Sequence, residues 1–323
     1  MKKGIIAVAL GIAVAVSGFA NAAQQQQKSG GTYIAIVCKG FMHQFWVAVK
    51  NGADKAASEL KAQGVNLTHT FEGTENETMV DKQMEMFQAA LGKSPAALGF
   101  AALDSKAAIP LLNEAKNRKI PIIAFDSGVD SDIPLTTVST DNKVAAGVAA
   151  DKMAEAIGGS GKIALVVHDQ TSRTGIDRRD GFLNGIKKYP GIEVVSVQYG
   201  GGDHQKSADI TKALINANPD IKGIFGSNEG SAVGVVLGVQ ELGKSGQVIV
   251  IGYDSGKQQI DAIRSGLMYG AIQQNPVKMG YETLMWAYKA SKGETPPKFI
   301  DSGYVWADKS NIDSPEVKSV IYE

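Results

Sequence analysis

Two rhythms of apolar residues alternate along this chain. Short runs rich in Ile, Val and Ala have the length of strands. The segments between them place apolar side chains every three to four positions, as a helix with one buried face does. Residues 32–37 open the series as a strand. A helix follows and runs to about Gln63, with Val49, Ala53, Ala56, Ala57 and Leu60 on one face and Gly64 as the residue that stops it. Strands are predicted over 65–71, 97–102 and 120–125, alternating with helices over 76–91 and 105–118. After a helix over 142–157 the series restarts. Strands over 162–167, 193–199, 221–227 and 248–253 alternate with helices over 177–189, 205–216 and 232–242. The remainder predicts a helix over 258–265, a strand over 268–273, a longer helix over 276–292 and a strand around 303–306.

One stretch is stated twice. Ile120-Pro121-Ile122-Ile123-Ala124-Phe125-Asp126-Ser127-Gly128 and Val248-Ile249-Val250-Ile251-Gly252-Tyr253-Asp254-Ser255-Gly256 are each a β-branched run ending in an aromatic residue and Asp-Ser-Gly. Such continuous runs suit strands buried on both faces of a parallel sheet. Open α/β sheets bind ligands beyond the carboxyl ends of their strands, where both acids stand. Asp-Ser-Gly also suits a plain turn, so each Asp by itself is a turn cap or a ligand contact. Two matched copies favour the contact for at least one of them. The alternation predicts an α/β fold of two similar, doubly wound parallel-sheet lobes joined by a multi-strand hinge. Residues 32–140 with 275–302 are expected to form the N-terminal lobe, and 141–274 with 303–323 the C-terminal lobe.

Composition adds limits. Lys+Arg and Asp+Glu are both 33, so a surface for nucleic acid, which needs a basic excess, is not expected. The single cysteine, Cys38, lies in an apolar run, excludes an intramolecular disulfide and reads as a small core residue. Lys2-Lys3, the apolar stretch from Gly4 to Phe19 and Ala20-Asn21-Ala22 together read as a secretory signal peptide over 1–22, followed by a polar leader over 23–31. A periplasmic location follows.

Catalytic chemistry is hard to find. His43, His69, His168 and His204 form no metal-ligand spacing. Gly158-x-x-Gly161-Lys162 lacks the frame of a phosphate loop and precedes a strand instead of following one. No Gly-x-Ser-x-Gly elbow occurs. Neither a metal nor a cofactor is expected, and the chain reads as a binder, not an enzyme. Recognition groups do cluster at predicted strand tips. Phe41, Phe45 and Trp46 accompany His43 after the first strand; aromatic faces there either anchor the core or stack on a sugar ring. Arg178 offers a planar fork to neighbouring hydroxyls. Asn228 and Gln274 each donate and accept. Asp141-Asn142 reads as a helix cap.

These residues resemble periplasmic sugar-binding proteins of the ribose-binding type, which serve ABC importers and have the type I periplasmic binding fold. The resemblance spans nearly all of the mature chain. It is carried by Phe45-Trp46-x-x-x-Lys50-x-Gly52-Ala53, Ile120-Pro121-x-x-x-Phe125-Asp126, Thr140-Asp141-Asn142, Arg178-x-x-Gly181-Phe182, Asn228-Glu229, Gly252-Tyr253-Asp254 and Ala271-Ile272-x-Gln274-x-Pro276. It implies sugar contacts from His43, Phe45, Trp46, Asp126, Arg178, Asn228, Asp254 and Gln274, with aromatic faces sandwiching the ring. The chain departs from the family's ribose binders at His43 and Ala101, where they carry Asn, at Ser127, where they carry Arg, and near Gly202, where they carry Phe. Asp104, His168 and Asp169 are the positional candidates for replacement contacts, with Lys39, Phe41 and Ser127 beside the primary set. The resemblance further implies a monomer that hands a small sugar to a permease, with a chemoreceptor as a second partner. A signalling furanose, polyol or nucleoside is the alternative cargo. An exported enzyme and the sensing core of a repressor are the rival classes. The matched tips predict that Asp126→Ala and Asp254→Ala each abolish binding with little change in unliganded melting temperature.

Overall fold

A computed structural model of the chain describes residues 31–322. The expected signal peptide and all but the last residue of the expected leader lie outside the described residues. The first lobe begins with β1 (Thr32–Gly40), α1 (Gln44–Ala62), β2 (Leu67–Thr74), α2 (Val80–Gly92), β3 (Ala97–Phe100), α3 (Ile109–Asn117), β4 (Ile122–Phe125) and β5 (Thr136–Ser139). The second is built from α4 (Asn142–Ala156), β6 (Ser160–Val167), α5 (Arg173–Ile186), β7 (Gly191–Tyr199), α6 (His204–Ala217), β8 (Ile221–Gly226), α7 (Glu229–Glu241), β9 (Ile249–Tyr253), α8 (Lys257–Ser265) and β10 (Gly270–Gln274). The chain then adds α9 (Pro276–Ser291), β11 (Phe299–Asp301), β12 (Tyr304–Asp308) and α10 (Pro315–Lys318).

The strands make two six-stranded sheets, ordered β2-β1-β3-β4-β5-β11 and β7-β6-β8-β9-β10-β12. All pairings are parallel except β12, which runs antiparallel to β10. Order reverses between β1 and β3 in one sheet and between β6 and β8 in the other, so each lobe has a switch point at its strand tips. The central strands β3 and β4 are buried throughout and β8 at every position but Lys222, as the apolar runs require. Helices cover both faces: Trp46, Val49 and Met279 pack on one side of the first sheet, and Phe87, Leu91 and Leu112 on the other. Each such side chain contributes about 1.5–3 kcal/mol by leaving water. α9 lies directly on α1 because two glycines permit it. A Cβ on Gly52 would meet the Val277 carbonyl oxygen at 2.0 Å, and one on Gly280 the Val49 carbonyl oxygen at 1.8 Å.

Element boundaries moved where polar side chains took over the backbone. α5 begins at Arg173, not 177, because the Ser172 hydroxyl caps it, accepting from Gly175 N–H at 3.1 Å. α2 begins at Val80, not 76, because Asn76 Oδ1 turns back to accept from Thr78 N–H. α3 starts at Ile109, since Asp104 holds the N–H groups of Lys106 and Ala107 in a turn before it. Two strands and a short helix were not anticipated. β5 is Thr-Thr-Val-Ser, without an apolar run, and β11 is a three-residue edge strand exposed at both ends. α10 is a single turn capped by Ser314.

The chain passes from one sheet to the other between β5 and α4, between β10 and α9, and between β11 and β12. Thr140 Oγ1 lies 3.3 Å from Ser302 Oγ and donates to the Gly303 carbonyl at 3.2 Å, tying two of these crossings together.

Candidate functional site

The two Asp-Ser-Gly tips share one backbone device. Asp126 has φ +52° and Asp254 has φ +80°, the left-handed region that Asp tolerates better than β-branched residues. The N–H of Asp126 bonds to the Val138 carbonyl of β5 at 2.9 Å, and that of Asp254 to the Ile272 carbonyl of β10 at 2.7 Å. Each acid is still held by its sheet, while its carboxylate swings off the strand end into the space between the lobes.

That space is small, about 20 Å³. From the first lobe it is lined by Lys39, His43, Phe45, Trp46, Glu77 and Asp126. From the second come His168, Thr174, Arg178, Asn228, Asp254 and Gln274. All eight primary candidates therefore converge, with Lys39 and His168 from the second set. A wider groove opens on the hinge side, and Asp126 lines both spaces.

Four candidates do not line the cavity. Phe41 is 39% exposed, its ring tilted against Phe71. Asp104 is the loop cap already described. Ser127 is buried and pairs with Thr174 Oγ1 at 2.9 Å, so it acts across the lobes and not on the cavity. Asp169 accepts from Thr171 N–H, Ser172 N–H and the Ser172 hydroxyl, organising the turn before α5. Two lining residues escaped sequence reading. Glu77 lay within the helix read over 76–91 and Thr174 before the helix read over 177–189; no spacing signal marks either.

Two helices of the second lobe start with caps of their own. Asn228 caps α7, its Oδ1 accepting from Ser231 N–H at 2.8 Å. Asp141 caps α4. Arg178 is locked from three sides: Nε donates to Asn142 Oδ1 at 2.7 Å, Nη1 to the Ser227 carbonyl at 2.9 Å, and the guanidinium lies 3.8 Å over the Tyr253 ring. The expected aromatic sandwich is not built. Phe45 and Trp46 are neighbours on α1 and meet edge to face, with centroids 5.0 Å apart at 88°. Two faces at a right angle form a corner, not a pair of parallel plates, and the second lobe brings no Phe, Tyr or Trp to the cavity, only the His168 imidazole.

Residues 34–295 match the family model described as periplasmic binding protein domain. The chain belongs to that family. Among relatives, the D-ribose/D-allose-binding protein of Pseudomonas aeruginosa is 26% identical over 81% of this chain and 83% of its own length. Among solved structures, an ABC transporter solute-binding protein from Agrobacterium vitis with bound D-fucose superposes with a TM-score of 0.86 at 31% identity, covering 90% of this chain and 100% of that one. A carbohydrate transporter solute-binding protein from Agrobacterium radiobacter in complex with D-arabinose gives 0.85 at 32%, covering 91% and 100%.

Electrostatics in this periplasmic binding protein are nearly balanced. Burial opposes charge on His43, but Glu77, Glu229 and the Gly202 carbonyl together outweigh it and raise the imidazole to about 9, so it is cationic. Burial works against the Lys39 ammonium too, and Glu77 at 3.6 Å with Asp126 at 3.7 Å more than offset it. Burial opposes charge on Glu77 in turn, and Lys39 and His43 hold it well below the usual carboxylate range. Glu77 also accepts from Trp46 Nε1 at 2.7 Å, which fixes the indole. Burial pushes Asp126 up to about 6 against the pull of Lys39 and Arg178. Burial lowers His168, leaving a neutral ring bonded to Ser227 Oγ at 2.8 Å. Lys39, His43 and Arg178 thus face Glu77, Asp126 and Asp254, and a guest meets strong donors and acceptors without a net charge to neutralise.

Proposed function

We propose that this chain is the solute-binding component of an ABC importer, acting as a periplasmic monomer that closes on one neutral monosaccharide and delivers it to a membrane permease. One observation carries the reading: side chains from both lobes converge on a small cavity whose polar groups are left partly unbonded. Among the described residues, no hydrogen bond reaches the Asp126 carboxylate, and Gln274 Oε1 is buried without a partner. Sugar hydroxyls supply both missing contacts, donating to Asp126 and to Gln274. The Phe45–Trp46 corner offers an apolar wall to the ring's C–H edge. Each hydroxyl left unpaired on burial costs ~1–3 kcal/mol, so the polar set selects among epimers. Closure is a ligand-driven shift between lobe arrangements. The family transports solutes, and no bond of the sugar is broken.

A thermal-shift panel tests this. Pentoses, hexoses, deoxysugars, polyols and nucleosides are each added to the mature chain. A cognate sugar at a hundred times its Kd adds about 2.7 kcal/mol and stands out. Stabilisation by a nucleoside or an organic acid, with none by any sugar, overturns the reading. Recovering a chemically altered sugar would support an enzyme instead. Adding the detected sugar to cells and following swimming bias tests the chemoreceptor role.

A further inference from the structure

The helix α1 starts without a cap of its own. Its N-cap residue, His43, makes no side-chain bond to the first turn, and that turn holds no acidic residue. The imidazole is committed elsewhere, to Glu77 and to the Gly202 carbonyl. The first N–H groups of a helix have no intrahelical acceptor and must find one. Here the acceptor comes from the other lobe. Glu229, the first residue of α7, places Oε1 3.1 Å from Gln44 N and Oε2 3.2 Å from Phe45 N. One carboxylate spans both amides at the positive end of a 19-residue helix, a charge-assisted and dipole-favoured arrangement. Adjacent contacts join the same surfaces. Gln44 Oε1 accepts from Lys257 N–H at 2.8 Å, and His43 Nε2 bonds the Gly202 carbonyl at 2.9 Å. Gly230 leaves room for that carbonyl, since a Cβ there would lie 1.7 Å from it.

Glu229 does not line the cavity, yet it is joined to it. Its own N–H donates to Asp254 Oδ2 at 2.9 Å, and Asp254 Oδ1 accepts from Gln274. We propose that Glu229 is the closing latch of this protein: carried on the C-terminal lobe, its carboxylate caps α1 of the N-terminal lobe only when the lobes are shut, and so lengthens the stay of the sugar without touching it. When the lobes part, the two amides and the carboxylate return to water. The bond from Asp254 couples occupation of the site to the aim of the latch. The trigger rests on the sugar-binding reading; the latch geometry does not.

The test compares wild type with Glu229→Gln and Glu229→Asp. Gln keeps the shape but removes the charge and one acceptor. Asp keeps the charge but is one methylene short of spanning both amides. The probe is whichever of D-arabinose, D-fucose, D-ribose or D-allose stabilises the wild-type chain. Dissociation is expected to quicken roughly ten-fold in Glu229→Gln and less in Glu229→Asp, with association changed by less than about two-fold. Amide hydrogen exchange at Gln44 and Phe45 is expected to speed up in Glu229→Gln, strongly with sugar and weakly without. A purely structural role predicts a lower unliganded melting temperature with unchanged exchange at these amides. Unchanged dissociation, or equal exchange in both forms, overturns the latch. If Glu229→Gln does not fold, Glu229→Asp carries both readouts. If no sugar stabilises wild type, the functional reading fails, and small-angle scattering of the unliganded chains decides on the latch: a more open Glu229→Gln supports it and an unchanged profile overturns it.

Discussion

The tips of β4 and β9 have the same sequence ending, the same left-handed backbone and the same tie to the next strand, but opposite states of satisfaction. Asp254 is fully engaged by the protein. Its carboxylate accepts from Gln274 Nε2 at 2.6 Å and from Glu229 N–H at 2.9 Å, with Arg178 Nη1 3.8 Å away. Asp126 has only Lys39, at 3.7 Å, and burial pushes its carboxyl up to about 6. The serines diverge likewise. Ser127 Oγ bridges the lobes to Thr174, whereas Ser255 Oγ is buried without a partner. Copies of one motif have therefore split their duties: one acid organises its own lobe, and the other is left open for a guest.

The largest expected effect falls on the acids themselves. Asp126→Asn should lose sugar binding by about 3 kcal/mol or more through bonds to a charged acceptor, and Asp254→Asn should lose it by releasing Gln274 and Arg178 from their places at the cavity, both measured by calorimetry. Their unliganded stabilities should separate. Asp254→Asn leaves Arg178 and Glu229 N–H short of a partner, a break that costs about 3–5 kcal/mol when a buried pair is involved. Asp126→Asn should raise the unliganded melting temperature at pH 7. The folded carboxyl holds its proton up to about 6 against an ordinary 3.8. That group therefore favours folding at low pH, and the contribution is lost as pH rises through that window. The gain in Asp126→Asn should vanish by roughly pH 4. Equal melting temperatures for the two variants would erase the contrast, and with it the difference from the shared behaviour expected of matched tips.

The supports come next. Gln274→Ala strips Asp254 of its shortest contact and should weaken binding by about 1–3 kcal/mol while lowering unliganded stability by about 1 kcal/mol, read by calorimetry and thermal melting. The pH dependence of binding is the third measure. Ionised Asp126 accepts hydroxyl donors and its protonated form does so poorly, so affinity should fall as pH drops through about 6. The smallest effect separates the serines. Ser127→Ala should cost about 1 kcal/mol of closed-form affinity, and Ser255→Ala should stay within about 0.5 kcal/mol of wild type in both affinity and melting.

The doubly wound fold was legible because buried parallel strands leave uninterrupted Ile/Val runs. The cavity's primary residues were legible because strand tips are topologically marked, and a family resemblance named them. The rest depended on distances that sequence spacing does not encode. Glu77 is recruited by Lys39 and His43 from a loop after β2, and its role is apparent only once those three are neighbours. The aromatic corner was misread as a sandwich because adjacency in sequence places Phe45 and Trp46 on one helix end, about a right angle apart. β5 escaped because a strand made of Thr and Ser earns its place through neighbours, not through its own hydrophobicity.

The three passages of the backbone between sheets, two of them tied by Thr140, Ser302 and Gly303, also govern how the molecule breaks. A protease that severs a single passage leaves two covalent tethers, and the severed ends remain pinned within strands or helices of opposite lobes. Neither half is a contiguous gene segment, because the first sheet borrows β11 and the second borrows β12 from the far end of the chain. A nicked molecule therefore retains both halves side by side and keeps its capacity to shut, whereas a truncation before β11 strips an edge from each sheet at once.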